Sequence, residues 1–145
     1  MTPQIPDLDS LDLARRLVAW EAHDGRIVES LAVSEACEKL RFALSRLIGA
    51  AGFCSVLSRA LTLATTKVPS LSVVRVNPNG SLNGLDAIGD PRQTVEAGVR
   101  LIAELLGLLV LFIGATLVLR LVSDIWPDLV LSESATSSVG EYDAK

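Results

Sequence analysis

Between Glu104 and Arg120 run fifteen consecutive residues without a charge, Leu105 to Leu119, and eleven of them are Leu, Val, Ile or Phe. At 100° per residue the two flanking charges project about 160° apart around a helix axis, so no single polar face joins them. The middle of such a helix is dry on every side, and it belongs either at the centre of a protein or in lipid. No other segment constrains the fold as tightly.

The helix that would carry this run has a clear start. Asp90-Pro91-Arg92-Gln93 offers a side-chain acceptor at the N-cap, a proline at the first helical position and a glutamine able to bond back. No further proline occurs before Pro127, so the pattern predicts a helix over 91–126, about 50 Å long if unbroken. Arg92, Glu96, Arg100 and Glu104 follow at i,i+4 with alternating sign and read as a solvated charge ladder leading into the dry run.

Two more helices are expected upstream. Asp9 or Ser10 can cap a helix over about 10–24, with Asp12 in its first turn and Leu13, Leu17 and Trp20 at helical spacing. Asp24-Gly25 then breaks it. A longer amphipathic helix over about 26–66 follows from Leu40, Leu44, Leu47, Ile48 and Ala51. Between the long helices the grammar changes: Leu71-Ser-Val-Val-Arg-Val76 is β-prone and Asn77-Pro-Asn-Gly80 is a turn signal, so 71–85 reads as a short β-hairpin or an ordered loop. Asn79-Gly80-Ser81 matches a glycosylation acceptor but reads most simply as that turn.

The expected architecture is mainly α. It is a small helical bundle or long-helix hairpin with the hairpin or loop between its two long helices. A lead-in over 1–9 and a disordered tail over 132–145, rich in Ser, Thr, Glu and Gly, flank a single domain over 10–131. With 50% apolar and only 4% aromatic residues, the core must be built from Leu, Val, Ile and Ala, a composition that favours helices. At 145 residues a real core is affordable without disulfides.

Function classes narrow by exclusion. Thirteen basic against seventeen acidic residues give a net charge of -4, and Arg15-Arg16 is the only basic doublet; a nucleic-acid partner has little electrostatic support. Cys37 and Cys54 form no C-x-x-C pair and read as buried thiols in a reducing compartment. His23, the single histidine, reads as a surface or capping residue. Asp7, Asp9 and Asp12 read as an acidic helix start. No nucleophile set, metal spacing, phosphate loop or small-molecule site stands out, so neither an enzyme nor a cofactor is expected. The opening Met-Thr-Pro-Gln-Ile-Pro-Asp has neither a basic nor an apolar stretch, and a secretory signal is not expected.

Two readings follow. In the first, a cytoplasmic helical interaction protein packs its helices against one another, a second copy or a partner protein, with Gly49, Gly52, Ala103, Gly107 and Gly114 as candidate close-packing positions. In the second, the chain is a single-pass membrane protein with its N-terminal domain in the cytoplasm and a span over about 101–122. That stretch is about 33 Å long, with Glu104, Arg120 and Trp126 as candidate membrane-boundary residues. Under either reading Phe112→Glu is expected to place an unpaired carboxylate in a dry setting, at high cost.

Overall fold

The fold is that of a computed structural model and is described for residues 9–22, 29–127 and 129; the expectations for Asp7, His23, Asp24-Gly25 and the tail over 132–145 fall outside them. The protein is mostly helical. In chain order it has α1 (Ser10–Ala22), α2 (Glu29–Lys67), a 3₁₀ turn (Pro69–Val73), β1 (Arg75–Val76), β2 (Leu82–Asn83), a second 3₁₀ turn (Leu85–Ile88), α3 (Pro91–Ile113) and α4 (Ala115–Ile125).

The helix starts form as their caps predict. The Asp9 carboxylate accepts from the backbone N–H groups of Leu11 and Asp12 at 3.1 and 3.2 Å. Asp90 accepts from Arg92 N–H at 3.0 Å, with Pro91 at the first position. The β-prone stretch does close as a hairpin: Arg75 pairs with Asn83 and Val76 with Leu82, antiparallel. Its turn is held by Gly80 N–H donating to Asn77 O at 2.8 Å, and by the Asn79 side-chain Oδ1 accepting from the Ser81 hydroxyl at 2.7 Å.

Both long helices are broken, and this corrects the expectation of unbroken rods over 26–66 and 91–126. Gly49 adopts φ 85°, ψ 158° inside α2, and Gly114 adopts φ 90°, ψ 153° between α3 and α4. This backbone region is open essentially to glycine alone. Each break reverses the chain. A straight helix would set residues 33 and 67 about 51 Å apart. Yet a Cβ on Gly98 would meet Val33 at 2.2 Å and Lys67 pairs with Glu104 at 2.7 Å, positions about 9 Å apart along α3. The two limbs of α2, 29–48 and 50–67, therefore fold against each other.

The same reasoning applies at Gly114. α1 runs antiparallel to α3, with Ser10 over Gly107 and Arg15 paired to Glu96 at 2.9 Å. Glu21 thus lies toward the start of α3, and Trp126 Nε1 donates to it at 2.7 Å. A straight continuation would carry Trp126 about 28 Å beyond Gly107 in the opposite direction. α4 instead doubles back along α3.

α3 is the central rod. Leu101, Ile102, Leu105, Leu106 and Leu109 are buried against Leu17, Leu40, Leu44, Phe53 and Leu57 in one cluster. Burying each such side chain stabilises by about 1.5–3 kcal/mol. The charge ladder is not a free solvated stripe: Glu96 is committed to Arg15 on α1 and Glu104 to Lys67 on α2, leaving only Arg100–Glu104 within the helix, at 3.8 Å.

Candidate interaction surface

Cover on α3 runs out towards its C-terminal end. α1 begins at Ser10, over Gly107, so the last turn of α3 has no neighbour from that helix. Leu111 and Phe112 are 78% and 63% exposed as a result. The break in α2 lies at the same end, because Arg46 and Leu121 line one groove and stand three residues before Gly49 and seven after Gly114. Leu47, Ile48 and Leu117 are exposed there too. The two reversals thus form an apolar tip.

A groove of about 580 Å³ opens beside it, between the first limb of α2 and α4. Phe42, Ala43, Leu121 and Ile125 supply its apolar lining, and Glu38, Lys39, Arg46 and Asp124 supply charges of both signs. Phe42 is 66% exposed, with the Arg46 guanidinium 5.6 Å from its ring centroid. Its neighbours are fixed from behind. The largely buried Glu21 carboxylate takes both the Trp126 indole N–H and the Lys39 ammonium, the latter at 2.5 Å, and Lys39 also lies 5.8 Å from the Trp20 ring centroid. One carboxylate fastens α1, α2 and the end of α4, and so sets the width of the groove.

The residues singled out in the sequence scatter over this framework. Gly49 and Gly114 form the reversals, and a Cβ on either would meet nothing within 4 Å; the nearest atoms to one on Gly52 would be those of Ile48, across the break, at 3.4 Å, and Gly107 would meet only the Ser10 hydroxyl at 3.8 Å. Ala103 is buried. A close helix approach runs over Gly98, against Val33, a position that periodicity reads as one more residue of α3. Glu104 is ion-paired and largely buried, and Arg120 is exposed. Trp126, read as a boundary residue, is 1% exposed and sits in the core, because the reversal at Gly114 brings it back to Glu21. Phe112 is corrected as well: it faces outward, so a carboxylate there meets water.

Chemically reactive groups are few. Cys37 is buried and its thiol is pushed up to about 12, mainly by burial and further by Glu38. Cys54 is half-buried and its thiol donates to Asn77 O at 3.5 Å; both cysteines are free. Among the described residues no group of three or more His, Cys, Asp or Glu side chains is placed to hold a metal ion. Leu31–Lys67 is long and apolar enough to cross a membrane by length and composition, but the chain reverses inside it at Gly49.

No protein-family model, curated protein or solved structure matches the chain.

Proposed function

We propose that this is a non-enzymatic helical interaction protein, cytoplasmic, that seats an amphipathic helix of a protein partner, or of a second copy, in the groove between α2 and α4. The observation that carries this reading is Phe42: a large aromatic side chain left exposed on the wall of an apolar groove whose rim bears both signs of charge. Two antiparallel helical walls presenting apolar residues at i,i+4, such as Leu121 and Ile125, suit a third helix laid between them. Aromatic and arginine side chains together are the usual anchors of such contacts. The mixed rim would select a partner helix with complementary alternating charge.

This reading is supported over a single membrane span by the break at Gly114, which divides 101–122 between the end of α3 and a short returning helix. A photoreactive residue placed at position 42 in cells tests it, with position 58 on the second limb of α2 as control. The expected result is an adduct from 42 that is absent from 58, maps to a helical segment, and weakens at least tenfold when the neighbouring Leu121 is changed to Glu. Light scattering then distinguishes a second copy from another protein. Equal labelling from both positions would sink the groove as a binding site.

A further inference from the structure

We infer that the tip formed by the two glycine reversals is a second, separate surface, which inserts into the interface of an anionic lipid bilayer. It goes beyond the groove reading and shares with it only Arg46, on the rim between the two. The tip exposes Leu47, Ile48, Leu111, Phe112 and Leu117, with Ala50 and Ala51 also exposed between them. Along the two helices that form the reversals, the charge nearest each glycine is basic. Arg46 lies three residues before Gly49 and Arg120 six residues after Gly114, about 4.5 and 9 Å back along their helices, and both are exposed.

Among the described residues Asp9, just before Ser10 and so on the tip side of Gly107, stands about level with Arg120; the next carboxylates, Glu104, which is ion-paired to Lys67, and Asp124, stand about 15 Å from the turns. A protein of net charge -4 thus has an apolar end whose collar, Arg46 and Arg120 against Asp9, is basic in sum. The depth fits as well: interfacial elements sink about 5–10 Å into the boundary between headgroups and acyl chains, which here brings Arg46 and Arg120 level with the phosphates. Two copies meeting tip to tip would instead oppose their collars, a like-charge contact.

Leu111 and Phe112 are the most exposed of the tip side chains, so they are the ones substituted. Full-length protein is floated with vesicles of phosphatidylcholine alone or mixed equally with phosphatidylglycerol. Binding to the mixed vesicles is expected, reduced by high salt and released by carbonate, because the contact is interfacial and partly electrostatic. Leu111→Glu with Phe112→Glu is expected to lower binding by roughly tenfold or more at an unchanged melting temperature. Arg120→Gln is expected to cost about fivefold on anionic vesicles and nothing on neutral ones. Absence of binding by the unaltered protein, binding that survives the double substitution, or resistance to carbonate would each overturn the proposal. Phe42→Ser separates the two readings, since it removes the exposed aromatic of the groove without changing any charge and is expected to leave vesicle binding intact.

Discussion

Gly98 shows how a single atom sets the spacing of this bundle. A Cβ there would stand 2.2 Å from Val33 Cγ1 and 2.7 Å from its Cγ2, and Val33 is a branched side chain with little rotamer freedom inside a helix. Gly98→Ala is therefore expected to destabilise by about 1–3 kcal/mol despite its better helix propensity. Thermal unfolding should show a fall of about 4 °C per kcal/mol, and Val33→Ala in the same chain should restore most of it. Charge at the residue scale is weaker. Arg15 grips Glu96 with two hydrogen bonds at 2.9 and 3.1 Å, and that contact holds the Glu96 carboxyl below its usual range, with Arg100 adding to the effect. A depressed carboxyl stabilises the fold above its unfolded value near 4.3 and loses that contribution as pH falls through the folded value. The melting temperature is accordingly expected to drop between about pH 5 and pH 3, less so in Glu96→Gln. Both groups are about half exposed, so the difference should be small.

At the scale of elements, the two reversals are the decisive parts. An L-residue at φ near 90° and ψ near 155° is strained by about 1–3 kcal/mol, whereas the ordinary helical conformation is open to it. Gly114→Ala is thus expected to favour a continuous helix from 91 to 125, which would pull Trp126 from Glu21 and uncover Val118 and Val122, now fully buried. Circular dichroism should show undiminished helicity, while tryptophan emission shifts to the red and stability falls. An unchanged emission spectrum would mean that the reversal does not depend on glycine. The caps, by contrast, were legible in the chain: Asp9 and Asp90 bind the backbone groups their positions imply. So was the hairpin turn at Asn77-Pro-Asn-Gly80, where local side-chain bonding decides the conformation. The reversals escaped notice because a glycine inside an apolar helical pattern is consistent with a tolerated helix residue, a packing site or a break, and nothing local separates these.

For the whole molecule, the fifteen-residue uncharged run serves two ends. Its first part, with Leu105, Leu106, Leu108 and Leu109, is buried in the protein core; beyond it, Leu111, Phe112, Leu117 and Leu119 are exposed around the second reversal. Hydropathy could not divide it, since hydropathy records what a side chain prefers and not which neighbours reach it. The mostly helical class, the helix starts and the separation of the long helices by a β-turn segment followed from the sequence, because caps, turn residues and apolar periodicity act over a few residues. The candidate site was less legible: Phe42 was one apolar residue among many, and Arg46 and Leu121 are seventy-five residues apart. Where Trp126 lies, which acid partners which base and where the groove opens were decided by the tertiary structure alone. Each depends on two chain reversals that bring distant residues side by side, and that proximity has no signature in the spacing of residues along the chain.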